Sequence, residues 1–238
     1  MISTRSNSTM RPTTRRRAAA AAAALFLVGC VSTPENPGTL TADQRRKVDA
    51  CLREGDQARR AGNLDAADAA YAAAVEIYPQ LAEAHYQRGN IRLERLRLDA
   101  ELSHAEAAID CYTAALRAVP TFAKAFHNRA VAFYQLAERR WGDLYKLAAK
   151  DLQRLLEINS RDADAHYFLA VIYDQHLQGM EADAVRHYLK YVELGGKKLE
   201  AQKRALALAP YFKAEKPGEA KSGPGAGGLP PRGGTQEK

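Results

Sequence analysis

Small and aromatic residues recur with a regular spacing along the helix-forming part of the chain, residues 42–212. The segment AEAHY at 82–86 returns as ADAHY at 163–167, and AKAFH at 123–127 is a variant of it, so the copies lie about 40 residues apart. Such a period predicts a row of similar helical hairpins, each of which buries its apolar face only against its neighbours.

The first unit shows why particular residue types recur. Gly55 and Ala67 are small, as required where the two helices of a hairpin cross closely, and Tyr71 is placed to fill the space between hairpins. Asn63 is suited to cap the second helix, because its side-chain oxygen can accept a hydrogen bond from a free backbone N–H. Pro79 stops that helix and turns the chain into the next unit.

These residues and spacings resemble those of the tetratricopeptide repeat (TPR), a helix–turn–helix unit of about 34 residues. The resemblance implies an all-α solenoid with repeats at about 48–81, 82–122, 123–162 and 163–196, and with a capping helix at 197–212. The second repeat has seven extra residues and the third has six, which lengthens their hairpins by about two helical turns. A helical bundle without repeats remains the alternative.

Local signals add detail around the repeats. Ser103-His104-Ala105-Glu106 has the capping-box pattern and predicts the start of the second helix of repeat two. Residues 213–238 are rich in Gly and Pro and cannot bury a core, so we expect them to be disordered.

A basic segment and then an apolar segment precede the repeats. Arg15–Arg17 are followed by the 12 uncharged residues Ala18–Gly29. This run is shorter than the roughly 20 residues that span a bilayer, but it has the length of a signal-peptide core. It ends in Leu27-Val28-Gly29-Cys30, which resembles the lipobox of bacterial lipoproteins.

The lipobox resemblance implies that residues 1–29 are a signal peptide cleaved between Gly29 and Cys30, and that Cys30 carries diacylglycerol and palmitate. Either Met1 or Met10 can be the true start. Residues 30–41 would then be the lipidated N terminus and a flexible linker. Val31 stands where inner-membrane lipoproteins usually have Asp, which favours the outer membrane with the domain facing the periplasm. A secretory signal with an incidental cysteine is the alternative.

The net charge of +7 arises largely from the leader. Residues 1–29 contain five arginines and no acidic residue, so 30 basic and 28 acidic residues remain, a net charge of +2. Such a balance does not favour nucleic-acid binding, which calls for a basic stripe on the folded domain.

Signals of enzymatic chemistry are weak. The HExxH, GxSxG, P-loop and CxxCH patterns are absent from the sequence, so we predict no catalytic residue, metal or cofactor. His85, His127 and His166 fall on successive hairpins and form a row rather than a cluster, while His176 and His187 lack partners at ligand spacing. Cys51 and Cys111 map to helices that are not expected to be neighbours, so two free thiols are predicted.

The first helices of TPR domains line a concave groove, and the resemblance therefore implies a partner-binding surface there. Its aromatic and polar character suits stacking on a peptide and hydrogen bonding to the peptide backbone. Alternatively, its tyrosines pack between repeats. The Lys and Asn pattern of chaperone-tail clamps is not reproduced. The predicted groove residues are Tyr86, Asn90, Lys124, His127, Tyr134, Tyr167 and Asp174.

The lengthened hairpins offer a second candidate surface, with Trp141 beside Arg139 and Arg140 as its anchor; the alternative is a tryptophan folded back on its own hairpin. Taken together, the resemblance predicts a membrane-anchored adaptor or scaffold of the bacterial envelope that binds an unidentified protein or peptide. Known TPR lipoproteins of this kind include pilotins and components of outer-membrane assembly. An envelope enzyme or ligand carrier and an intracellular TPR scaffold are the alternatives, and the oligomeric state stays open.

Overall fold

A computed structural model describes residues 40–139 and 142–212, with side chains described up to residue 208. The predicted leader and linker, Cys30, Arg140, Trp141 and the C-terminal tail lie outside the described residues. In the described part of the chain there are nine α-helices and no strand. The helices are α1 (Ala42–Arg60), α2 (Leu64–Ile77), α3 (Ala82–Asp99), α4 (Leu102–Ala118), α5 (Ala123–Arg139), α6 (Leu144–Ile158), α7 (Ala163–Gln175), α8 (Glu181–Glu193) and α9 (Leu199–Phe212).

Consecutive helices pack as four hairpins, α1–α2, α3–α4, α5–α6 and α7–α8, and α9 packs against α8. Each hairpin also packs on the next, through α2 with α3, α4 with α5, and α6 with α7. Nearly all contacts thus join neighbours along the chain, which is the one-dimensional packing of a repeat solenoid. The predicted all-α TPR solenoid is confirmed.

Glycine allows the two helices of the first and second hairpins to cross closely. A methyl group added at Gly55 would lie 2.6 Å from the ring of Tyr71, and one added at Gly89 would lie 2.5 Å from the ring of Tyr112. Both tyrosines are fully buried. Gly55 therefore lies at a close helix crossing, as predicted, and the ring it meets is that of Tyr71 from the same hairpin.

The extra residues of repeats two and three lengthen their helices. Helices α3, α4 and α5 have 18, 17 and 17 residues, whereas α7 and α8 have 13 each. At the far ends of the long hairpins, Arg139 donates a hydrogen bond to the carbonyl oxygen of Ala100 at 2.9 Å. This bond ties the tip of the third hairpin to the turn of the second.

Two predicted helix starts have different outcomes. Asn63 caps α2, with its side chain accepting from the backbone N–H of Ala66 at 3.1 Å. The capping box at Ser103 is wrong, because α4 already begins at Leu102 and has no side-chain cap. The Ser103 hydroxyl instead donates to Glu101 at 2.9 Å, in a tight turn that directly follows the end of α3.

Ion pairs of low exposure join helices inside and between hairpins. Arg129 on α5 donates to both carboxylate oxygens of Asp151 on α6, at 2.7 and 2.8 Å, and to Thr113 on α4 at 2.9 Å. Arg88 and Arg92 on α3 both donate to Asp68 on α2. Arg129 therefore holds α5 against α4 and α6, and Arg88 and Arg92 hold α3 against α2.

The C-terminal end of the described solenoid is covered by α9. Ala201, Ala205 and Leu208 bury one face of this helix against the preceding hairpin. Among the described helices, none combines the length and the apolar character that a membrane span requires.

Candidate functional site

Side chains from α3, α5 and α7 meet across one side of the solenoid, the side that first helices line in a TPR fold. We call this surface the groove. Most of the predicted groove residues lie here, although several make contacts within the protein. It has two parts, an amide cluster between α3 and α5 and an aromatic cluster between α5 and α7.

The amide cluster is centred on Asn90 and Asn128. The Nδ2 group of Asn128 donates to Oδ1 of Asn90 at 2.8 Å and to the Tyr86 hydroxyl at 3.2 Å. The Tyr112 hydroxyl also donates to Oδ1 of Asn90, at 2.8 Å, and Asn90 donates to Gln87 at 3.1 Å. These bonds fix the two amides and leave Oδ1 of Asn128 without a hydrogen bond from any of the described residues.

Asn128 is a groove residue that the sequence analysis missed. It follows the predicted residue His127 by one position and is half-buried. Its importance arises from the approach of α5 to α3, since its partners lie 38 and 42 residues away in the chain. A polar side chain beside a predicted groove position was the available signal.

Tyr86 forms one wall of the amide cluster. Its ring lies 5.0 Å from the ring of Phe122 and 5.9 Å from that of Tyr112, measured between centroids. Tyr86 is half-buried, and its hydroxyl accepts the hydrogen bond from Asn128. Tyr86 thus packs between repeats and also lines the groove, which combines the two interpretations left open by the sequence.

The aromatic cluster surrounds Tyr134. The rings of Phe168 and Tyr145 stand edge-on to it at 6.0 and 5.4 Å. His127 in turn lies 6.0 Å from Phe168. The ring of His176 stacks on that of Tyr145, with 3.7 Å between the centroids. Its Nε2 also forms a 3.3 Å hydrogen bond with the Tyr134 hydroxyl. Burial, with added repulsion from Glu138, raises the pKa of Tyr134, so its hydroxyl stays protonated.

A depression of about 820 Å³ adjoins the aromatic cluster at the turns of the third and fourth hairpins. Tyr145, His176 and Met180 form part of its lining. The charged residues on its rim, Asp143 and Lys146, are bonded to each other at 3.0 Å and are largely exposed.

The prediction that Asp174 lines the groove is wrong. Its side chain is buried, and its two oxygens accept hydrogen bonds from Arg204 of α9 at 2.6 and 2.7 Å. The reason lies in the register of the last repeat: α9 occupies the place where another first helix would pack, and it covers this position. Asp174 therefore holds the cap in place and is not accessible to a partner.

Tyr167 and Lys124 lie at the borders of the groove. The Tyr167 ring packs 5.3 Å from Tyr191, and the Lys198 ammonium sits 3.7 Å above the ring centroid as a cation–π contact. Lys124 is exposed near the start of α5.

In the second candidate surface, only Arg139 is described, and its guanidinium donates a hydrogen bond to the carbonyl oxygen of Ala100.

His187 has a partner that its spacing did not reveal. Its Nδ1 lies 2.8 Å from Nδ1 of His166, and Nε2 of His166 is bonded to the Ser160 carbonyl at 3.1 Å. That carbonyl can only accept, so His166 carries its proton on Nε2 and His187 donates from Nδ1. Burial, together with the neighbouring His166, lowers the pKa of His187 to about 4. This pair joins α7 to α8 and does not belong to the groove.

Two further groups of titratable side chains serve local structure. Asp99, Glu101 and His104 lie within 4.8 Å of one another at the exposed turn between α3 and α4, where Asp99 accepts from the Glu101 N–H and pairs with His104. Cys51 and Cys111 are free thiols, as predicted. Burial raises the pKa of the Cys111 thiol, which keeps it protonated and unreactive.

Comparison with known proteins supports the fold. No protein-family model matches the chain, and no curated protein sequence matches it either. Among solved structures, MamA matches with a TM-score of 0.58 and 22% identity over 71% of this chain and 84% of MamA. YrrB, described as a TPR protein with an unusual peptide-binding site, matches with a TM-score of 0.57 and 21% identity over 72% of this chain and 81% of its own. A tetratricopeptide repeat protein from Parabacteroides merdae matches with a TM-score of 0.56 and 19% identity, over 71% of this chain and 60% of its own. The chain therefore has the fold of a TPR solenoid.

Proposed function

We propose that this protein is a lipid-anchored adaptor of the bacterial envelope that binds an extended segment of a partner protein in the groove. The observation that carries the proposal is the amide cluster. Asn128 is held rigidly by Asn90 and Tyr86, and it presents an unused carbonyl oxygen on a half-buried surface. Such an acceptor fits the backbone N–H of an extended peptide.

The aromatic cluster supplies the second element that peptide recognition requires. Tyr134 and Phe168 are half-buried rings, and Tyr134 follows Asn128 by about two helical turns along α5. Rings of this kind bury much area at little conformational cost when a side chain or a proline packs on them. YrrB, which has a similar fold, is described as having a peptide-binding site, and a groove role for this chain agrees with that precedent.

The centre of the groove indicates what kind of segment it accepts. Tyr86, Asn90, Asn128 and Tyr134 are polar or aromatic residues without a formal charge, and Lys124 is the one Lys or Arg among the predicted groove positions. The surface therefore suits an uncharged segment with aromatic or proline residues better than a terminal carboxylate, which is usually bound by paired cationic groups.

The test begins with crosslinking in intact envelopes and identification of the segment that is joined to the groove. The affinity of a synthetic peptide of that segment is then measured for the wild type and for Asn128→Ala. We expect binding to weaken by about 5- to 30-fold, as loss of one buried hydrogen bond predicts. Gln57→Ala, which removes an exposed amide from α1, is the matched control. Equal binding by the wild type and Asn128→Ala would remove the groove from the proposal.

The membrane anchor rests on the sequence and needs its own experiment. Mass spectrometry of the mature N terminus is expected to find acylated Cys30, and Cys30→Ser should release the protein from the membrane fraction. Val31→Asp should shift it from the outer to the inner membrane if sorting follows the lipoprotein pattern. An intact Met1 or Met10 in the mature protein would instead favour an intracellular scaffold.

A further inference from the structure

Helix α9 shares the register of the first helices of the second, third and fourth hairpins. When the helices are aligned at their first residues, Ala201 of α9 takes the third place, as do Ala84 in α3, Ala125 in α5 and Ala165 in α7. All four alanines are completely buried. The shared register shows that α9 packs on the preceding repeat in the same way as the other first helices.

The eighth place of the first helices distinguishes α9 from the others. It holds Gly89 in α3, Ala130 in α5 and Ala170 in α7, all of them buried, and Gly89 packs against Tyr112 of the second helix. In α9 the eighth residue is Leu206, whose exposed fraction is 75%. A second helix packed as in the other hairpins is therefore missing from the described residues, and a large apolar side chain stands in its place.

A second leucine extends this surface. Leu199 lies seven residues before Leu206, two turns along the same face of α9, and its exposed fraction is 59%. The corresponding first places of α3, α5 and α7 all hold alanine. The end of a solenoid normally presents a polar face, since no repeat follows to cover it. Two large exposed leucines in places that elsewhere hold small residues indicate a surface that is covered by a partner.

The sequence that follows α9 is unsuited to cover this face with a helix. Eleven of the 22 residues at 217–238 are Gly or Pro, and these two residues are the weakest helix formers. The shape of the site nevertheless corresponds to a helix, because in every other hairpin the same face of the first helix contacts one.

The charge around the two leucines distinguishes between a second copy of this chain and a helix of another protein as the partner of this face. Lys197 and Lys203 are exposed around the two leucines, and Lys203 has only a 3.6 Å contact with Glu200. A second copy packed on this face would bring these lysines together, and like charges in contact are unfavourable. An acidic helix would complement them, just as Asp68 and Asp151 on second helices pair with arginines of first helices elsewhere in the fold.

We propose that the exposed face of α9 docks a helix of another polypeptide, with small residues where it crosses Leu206 and acidic residues on its flanks, and that this helix completes a fifth hairpin. The surface lies outside the groove, so the two can be occupied independently.

A peptide derived from the protein's own acidic second helix provides the probe. It has the sequence of residues 64–77, N-acetylated and amidated, with Tyr71→Ala so that a small residue faces Leu206. The full chain is titrated against the labelled peptide by fluorescence anisotropy. We expect saturable binding that weakens by at least about tenfold in Leu206→Glu, and a similar loss when the acidic residues of the peptide are replaced by lysine.

Leu98→Glu is the matched control, because Leu98 on α3 is also 75% exposed; it should bind the peptide as the wild type does, and so should Asn128→Ala. Circular dichroism checks that each variant is folded. Absence of saturable binding, or equal binding by Leu206→Glu, would overturn the proposal. A dimer that is seen in sedimentation and is lost in Leu206→Glu would overturn the proposal in favour of a second copy. Binding to phosphatidylglycerol vesicles that is lost in Leu206→Glu would overturn it in favour of a lipid surface.

Discussion

At the scale of single residues, the hairpins depend on positions where one added carbon has no room. Gly89 of α3 packs directly against the buried ring of Tyr112. Gly89→Ala should lower the thermal midpoint, because overpacking costs about 1–3 kcal/mol and this exceeds the roughly 1 kcal/mol that alanine gains in a helix.

The control for this prediction is Gly142→Ala. None of the described residues lies within 4 Å of a methyl group at Gly142, so the midpoint of this variant should stay close to that of the wild type. A midpoint for Gly89→Ala at or above that of the wild type would show that the α3–α4 crossing can open to admit a methyl group.

The buried imidazole of His187 predicts a dependence of stability on pH. Its folded pKa of about 4 lies below the usual value near 6.5, so between these values the unfolded chain binds more protons than the folded one. The stability that the neutral ring provides is therefore complete above about pH 6.5 and is lost as the pH falls towards about 4. His187→Gln should flatten this part of the curve of unfolding free energy against pH.

Groups around His187 modify this effect without reversing its sign. His166 and Arg186 lower the pKa of His187, while Asp183 raises it. Because carboxylates elsewhere also titrate near pH 4, the informative quantity is the difference between the wild-type and variant curves. Parallel curves would mean that His187 is not the group responsible.

Single residues also show which parts of the groove could be predicted from the sequence. Asn90 was predictable from the repeat register, since a fixed helical position faces the groove in each repeat. Asn128 was not, because its role depends on the distance between α3 and α5, which only packing determines. Asp174 was misassigned for the same reason: its register is that of a groove residue, but α9 covers it in the folded chain.

At the scale of helices, the ion pairs of low exposure hold first helices against second helices. Arg129 and Asp151 are exposed by 17% and 7% at their side chains and form two hydrogen bonds. Removing the arginine leaves a buried carboxylate without its charge partner, which typically costs about 3–5 kcal/mol. Arg129→Met should therefore strongly lower the denaturant midpoint of unfolding.

Two further variants separate charge from packing. Arg154→Met removes a pair with Glu157 in which both side chains are more than half exposed, and it should change stability by less than about 1 kcal/mol. The double variant Arg129→Met with Asp151→Leu should recover much of the loss, since no unpaired charge then remains. A double variant as unstable as Arg129→Met alone would assign the loss to packing.

The starts and ends of helices were less predictable than their existence. Asn63 was placed correctly because a cap depends on its own side chain and on a backbone N–H three residues later. The pattern at Ser103 met the same local criteria, yet α4 begins earlier, because the turn is held by Asp99, which accepts from the Glu101 N–H, and by Arg139 from the next hairpin. The last of these contacts spans 39 residues and is invisible to a local pattern.

At the scale of the whole molecule, the solenoid predicts that damage stays local. Each hairpin packs mainly on its neighbours, so stability is close to a sum of repeat and interface contributions. This architecture was predictable from the repeats, which encode the same packing several times. The exposed leucines of α9 were not recognised in the sequence, because only comparison with the packed registers of α3, α5 and α7 shows that they replace small residues.

The pair between Asp174 and Arg204 makes this locality testable. Asp174 is only 1% exposed, and Arg204 is the residue through which α9 reaches across to α7. Arg204→Met should leave the carboxylate uncompensated and should speed amide hydrogen exchange in α7, α8 and α9, while exchange in α1–α4 stays as in the wild type. Arg186→Met, which removes a largely exposed arginine from α8, should leave all exchange rates unchanged. Faster exchange throughout the chain in Arg204→Met would mean that the hairpins unfold as one cooperative unit, and that α9 supports the distant repeats as well as the one it covers.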